Sequence, residues 1–288
     1  MKYIIFLFLT LTFLFAQDIE IVSITTTDGS EIVGTITIET EAEYTVETSS
    51  GIKITIPKES VVKIDDFTGK MKEGKLYRPD PNKSMYLFSP SAFAIGKNNK
   101  YCRDFCVLFP SFNYGFSDVL SAQAGIFWIP GLGIDDIPII GSLKTSIYNK
   151  NKLAFAGGAM YMRIPTISIE DEDDIHLGGG FLFVTGTYGD QFNHASLSLG
   201  WGFARGNDEW EMMERPIFVL AGNKRISQNI ALVGESWIWP EIEFGYVPIL
   251  LSARFIGKRI ATDVGMLFTF ETISQGLPFP IINFTYHF

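Results

Sequence analysis

The chain has 288 residues, 47% hydrophobic and 14% aromatic, with 27 Gly, 25 Phe, 2 Cys and a formal charge of −9. That length suits one large domain and one small one. The acidic balance, with no stretch that concentrates Lys and Arg, excludes nucleic acid as a partner. Beyond the N-terminus no run reaches about 18 uninterrupted apolar residues, so a helical membrane span is not expected.

Residues 1–16 read as a secretory signal. Lys2 supplies the positive start, Ile4 to Phe15 is apolar apart from Thr10 and Thr12, and Ala16 is a small residue before Gln17.

Residues 17–66 form a small all-β domain, rich in Thr, Ile, Val and Glu. Asp28-Gly29 between two β-branched runs is a hairpin signal, because Gly takes positive φ without steric cost. Ser49-Ser50-Gly51 marks a second turn and Pro57 ends the next strand. The run from Thr27 to Ile36 resembles an Sm-like or SH3-like barrel, in which a hairpin precedes a strand carrying Gly. Sm-like proteins bind RNA through loop residues that have no match here, and Glu31, Glu39, Glu41, Glu43 and Glu47 oppose RNA binding. The expectation is a periplasmic interaction or structural module whose partner the sequence does not name.

Residues 67–84 read as a linker, interrupted by Gly69, Gly74, Pro79 and Pro81 and carrying Lys70, Lys72, Lys75, Arg78 and Lys83. From residue 85 to 288 the pattern is that of a twelve-stranded antiparallel transmembrane β-barrel. The candidate strands are 85–95, 104–116, 119–129, 138–148, 152–163, 177–188, 195–205, 215–226, 230–239, 242–257, 260–270 and 279–288. A tilted strand crosses a bilayer in about 9–11 residues, and alternating side chains give one lipid face and one lumen face. Leu197, Leu199, Trp201 and Phe203 alternate with Ser196, Ser198, Gly200 and Gly202. Pro110, inside a candidate strand, demands a bulge or an interruption.

Short connections such as Ser117-Asp118 and Lys258-Arg259 alternate with longer ones, Gly96–Arg103 and Ile164–His176 among them. Short periplasmic turns and long outer loops are the asymmetry of such barrels. Trp128, Trp237 and Trp239 fall at outer strand ends, where an aromatic girdle is expected.

The last strand alternates Ile282, Phe284, Tyr286 and Phe288 with Ile281, Asn283, Thr285 and His287. That ending resembles the closing strand of bacterial outer-membrane β-barrels. Phe112 to Asp118, Gly186 to Gly189 and Ala231 to Trp237 resemble segments of uncharacterised members of that family. The resemblance implies a cell outer membrane location, with the N-terminal domain in the periplasm and outer-membrane lipids as surroundings. It also implies that Phe284, Tyr286 and Phe288 are a signal to the assembly machinery.

Four inward charges are expected: Lys144, Glu235, Arg254 and Asp263. If Lys258-Arg259 is a two-residue turn, Arg254 faces Asp263 across it, close enough for an ion pair. That network favours a plugged barrel or very small pore over an open channel.

No catalytic residue, cofactor or metal is assigned. Outer-membrane phospholipases use a His-x-Ser pair with an Asn on the next strand, and His194-Ala195-Ser196 has that spacing. The family's residues after the Ser are absent, however, and the pair falls at a periplasmic turn. The acidic run Glu170 to Asp174 reads as a solvated loop, with Ca²⁺ binding as the sharper possibility. Cys102 and Cys106 bond only if the loop between them turns back. The sequence therefore reads as a non-enzymatic outer-membrane barrel, a narrow pore or structural or binding protein with a periplasmic interaction domain. Its alternatives are an outer-membrane lipid-modifying enzyme and a soluble exported β-protein.

Overall fold

The computed structural model describes residues 21–67, 69–72, 75–128, 131, 133, 137–165, 177–206, 209–276 and 278–288. The expected signal, 1–16, and the acidic run, 170–174, lie outside the described residues. The chain divides into two units, Met1–Leu76 and Tyr77–Phe288.

In the first unit β1 (Val22–Thr26), β2 (Glu31–Glu39), β3 (Glu43–Thr48), β4 (Lys53–Pro57) and β5 (Val61–Asp66) form one antiparallel sheet in the order β4-β3-β2-β1-β5. Its core is Ile24, Val46 and Ile56, with Ile32, Ile36 and Tyr44 packed against it. Gly29 sits at φ 81°, the positive value that its turn requires. Among the described residues no pairing joins the edges β4 and β5, so the small closed barrel of the Sm-like resemblance is not shown. The expected linker contains a further hairpin, β6 (Lys70–Lys72) with β7 (Lys75–Tyr77).

The second unit is a closed barrel of twelve antiparallel strands. They are β8 (Lys100–Phe105), β9 (Phe109–Gly115), β10 (Leu120–Ile126), β11 (Ile139–Lys150), β12 (Leu153–Arg163), β13 (Leu177–Gly189), β14 (Asn193–Gly206), β16 (Ile217–Arg225), β17 (Ile230–Ile238), β18 (Ile249–Ile256), β19 (Ile260–Phe268) and β20 (Phe279–His287). A short β15 (Glu209–Met212) folds back on the end of β14, and β20 pairs with β8 to close the wall. Closure pairs each of the twelve strands with a neighbour on both sides. Alternation does the sorting: Leu197, Leu220, Leu232 and Leu251 are exposed outside, while Ser196, Asn223, Glu235, Arg254, Asp263 and Asn283 are buried inside.

Three expectations need correction. Residues 85–95 are not a strand; they fold into the barrel interior, where Tyr86, Leu87 and Ala92 are fully buried. The expected strand 104–116 is a hairpin, β8 and β9, reversed at Cys106 and Val107, whose φ values are 56° and 62°. One strand is lost and one is split, so the count stays at twelve, and the expected first outer loop, 96–103, precedes and enters β8. Trp237 and Trp239 do not form an outer girdle. Both turn inward, Trp237 donating from Nε1 to Glu235 at 2.6 Å.

Candidate functional site in the barrel lumen

Residues 80–93 form a plug. It is a tight turn held internally by Tyr86 N–H to Ser89 O, Ser91 N–H to Ser84 O, and a bridge between Met85 and Pro90. Such a segment leaves many backbone groups unpaired, and buried unpaired groups are costly. Charged side chains from the wall satisfy them.

The Glu235 carboxylate accepts the N–H groups of Leu87, Phe88 and Ser89 at 2.9–3.0 Å. Lys144 Nζ donates to the carbonyls of Ser84, Ser91 and Phe93 at 2.9–3.1 Å. Arg254 donates to Tyr86 O at 2.8 Å, and Arg103 donates to Leu87 O. Thr187 accepts the Ala92 N–H at 2.8 Å.

Arg254 is also paired with Asp263, its partner in the register of β18 and β19, and lies 3.6 Å from Asp80. Asn283 Nδ2 approaches the other Asp263 oxygen at 3.3 Å. At the rim where β8 begins and β20 ends, His287 Nε2 contacts Asn82 at 2.7 Å. The structure thus places Lys144, Glu235, Arg254 and Asp263 around one plug. Sequence reasoning missed two members. Arg103 shares the inward parity of Tyr101, a signal hidden because β8 was not delimited. Asp80 lay in the supposed linker.

Beyond the plug, towards the opposite rim, lies a chamber of about 560 Å³. Phe88 at the plug's tip forms part of its lining, with Phe109, Phe181, Met160, Met162 and Trp239 around it; Glu211 is the one charged residue. The room comes from inward positions with little or no side chain, Gly179, Gly202 and Ala204. A Cβ on Gly202 would meet Met213 Sδ at 2.4 Å. A cavity of this size, apolar and floored, is shaped for a small ligand.

The His-x-Ser pair sits in the lumen, not at an exposed turn. His194 and Ser196 are buried on β14, and Asn223 faces His194 across β16. His194 Nδ1 contacts Asp190 O at 3.0 Å; its Nε2 and Asn223 Oδ1 have no hydrogen-bond partner. Ser196 Oγ is held at 2.6 Å by both Tyr86 Oη and Thr187 Oγ1. The rings of Tyr86 and Phe93 from the plug pack against His194. The three residues share one lumen-facing patch, but no hydrogen bond joins them: Asn223 Nδ2 donates to Phe192 O, and the plug covers His194 and Ser196. Cys102 and Cys106 are both free thiols. Phe284, Tyr286 and Phe288 are exposed on the barrel exterior.

No family model matches this chain, and neither does any curated protein. Among solved structures it is similar to OmpT, an outer membrane protein of Vibrio cholerae. Its outer-membrane-expressed form matches at 10% identity and TM-score 0.35, covering 94% of this chain and 95% of that one. A loop L8 deletion mutant of OmpT matches at 9% identity and TM-score 0.37, covering 94% and 97%. The likeness is one of barrel architecture.

The expectation of a non-enzymatic narrow pore, or of a structural or binding protein with a periplasmic interaction domain, is corrected here. The lumen itself offers no open channel among the described residues. It is stoppered by a plug, beyond which lies the apolar chamber.

Proposed function

We propose that this protein is an outer-membrane barrel that acts on lipids, with its chamber holding the hydrocarbon chain of the substrate. The chamber carries the reading. Its lining is almost wholly apolar, and burying a chain there gains about 0.8 kcal/mol per methylene. The exterior supports the location: Leu197, Leu220, Leu251, Val264 and Phe284 form the kind of outward apolar band that faces lipid. In this reading the N-terminal unit lies in the periplasm, and Phe284, Tyr286 and Phe288 are read by the assembly machinery.

The test is binding of a fluorescent long-chain fatty acid to the folded protein in detergent. Wild type binds, and Ala204→Phe, which fills the chamber, binds at least tenfold more weakly. A folded wild type that takes up no acyl chain ends the proposal.

A second reading is favoured by the placement of His194, Ser196 and Asn223 on one lumen-facing patch of β14 and β16. In an ester hydrolase Ser196 Oγ attacks the acyl carbonyl and His194 Nε2 takes its proton. His194 then passes the proton to the departing alcohol, and water cleaves the acyl-enzyme. The plug must move for this to occur, because Tyr86 occupies the Ser196 hydroxyl. Fatty acid release from a labelled phospholipid, abolished in Ser196→Ala, supports this chemistry; release that survives in Ser196→Ala assigns it elsewhere.

A further inference from the structure

The barrel wall is not of one height. β8 has 6 residues and β9 has 7, against 11 in β12, 13 in β13 and 14 in β14. Both fall short of the roughly 9–11 residues of a bilayer-spanning strand. The last ladder pair between β20 and β8 is Asn283 with Phe105, followed by Cys106 N–H to Ile282 O. Phe279, Pro280 and Ile281 continue beyond it, paired only with β19 among the described residues. Pro280 suits that exposed edge, since it has no N–H to leave unpaired.

Three cavities adjoin at this low wall. Outside lies a groove of about 570 Å³, lined by Phe112, Ala124, Ile126, Phe284 and Tyr286. A void of about 50 Å³ shares Arg103, Pro110, Ser111, Gly125 and Ile126 with the groove. The same void shares Phe88, Phe109, Ile140 and Met160 with the chamber. Pro110 lines both the groove and the void and cannot donate to the ladder there. The sill is aromatic: Phe109 stacks on Phe127 at 4.3 Å, and Phe88 of the plug meets Phe105 and Phe109 edge-on.

We infer that the β8–β9 hairpin is a lateral entrance by which the hydrocarbon chain of a membrane-resident lipid passes from the bilayer into the chamber. The inference rests on the lipid-acting reading and adds the route. The groove belongs to the outward apolar face, where Phe112, Phe284 and Tyr286 are each 40% exposed or more. A chain lying there meets mainly apolar side chains along the path, with Asp104 at the groove and Arg103 and Gln123 at the void among its polar neighbours, whereas entry from water exposes it.

The experiment uses full-length protein in which Trp128, Trp201 and Trp210 are replaced by Phe, leaving Trp237 and Trp239 beside the chamber. One arm places it in nanodiscs of phospholipid brominated on its acyl chains. The other places it in detergent with free brominated fatty acid. Each arm is repeated in Ala204→Phe, with folding checked by heat-modifiable gel migration and Ala204→Leu as a milder filler. Tryptophan quenching in nanodiscs that the fillers abolish is the expected result. Quenching by free fatty acid alone overturns the lateral route and leaves the chamber reading standing. Quenching in nanodiscs that the fillers leave unchanged comes from lipid outside the wall and also overturns the route. No quenching in either arm removes the chamber reading, and the route with it.

Discussion

Arg254 and Asp263 face one another across β18 and β19, Nε to Oδ1 at 2.6 Å and Nη2 to Oδ2 at 3.1 Å, and each is 1% exposed. The same guanidinium holds a plug carbonyl, so one ion pair ties wall to stopper. Removing one partner of a buried pair leaves an uncompensated charge and costs about 3–5 kcal/mol. Asp263→Ala therefore lowers the urea midpoint of the folded barrel sharply. The double variant Arg254→Met/Asp263→Leu recovers only part of the loss, because it takes the guanidinium away from the buried Asp80 carboxylate as well. A wild-type midpoint in Asp263→Ala would show the pair to be dispensable.

Glu235 is the acceptor for three plug N–H groups. Each buried N–H left without a partner costs about 1–3 kcal/mol. Wild type in planar bilayers should be closed, Glu235→Ala should open intermittently, and deletion of residues 80–93 should conduct steadily. Glu235→Gln, which keeps an acceptor oxygen but not the charge, falls between wild type and Glu235→Ala. A large conductance in wild type contradicts the sealed lumen.

Phe288 is 60% exposed, and its ring meets Tyr286 edge-on and the Lys100 ammonium. Such contacts contribute on the order of 1 kcal/mol. Deleting Phe288 should leave the urea midpoint of refolded protein nearly unchanged while lowering the amount inserted in cells. That split separates an assembly signal from a stabilising contact. Unchanged insertion in cells removes the assembly role.

Asp28 accepts hydrogen bonds from the Thr26 hydroxyl and from the Ser30 N–H and hydroxyl, and these hold its carboxyl below the ordinary value of 3.8. A depressed folded value means that the ionised form is favoured by folding. The stabilisation is present above 3.8 and is lost as pH falls through the lower folded value. In Asp28→Ala the first unit's melting temperature should fall at neutral pH, where that stabilisation is lost, and its acid limb should flatten, because the variant has nothing left to lose there. An identical acid limb in the variant argues that the turn is held by Gly29 alone.

Much of the barrel was legible because period-two alternation is a local property. Ser196 to Phe203 sort into two faces without knowledge of any neighbour. A two-residue reversal at Lys258-Arg259 aligns Arg254 with Asp263, and the structure has that register. The Asp28-Gly29 turn was equally local, since only the backbone freedom of Gly29 was needed.

Tertiary structure alone decided the rest. Met85 to Phe88 is apolar and aromatic, and local propensity reads it as a strand. Its backbone groups instead find Glu235 and Arg254, which lie far along the chain. The reversal at Cys106 and Val107 carries no Gly, Asn or Asp to announce it; it is held by Ile282 O on the closing strand. Trp237 shares the parity of Glu235, whose charge already pointed to the lumen; only the closed barrel shows the indole bonded to that carboxylate instead of standing in an outer girdle. Alternation is written into each strand, whereas a buried carboxylate's choice of three N–H groups about 150 residues away exists only once the chain has closed around them.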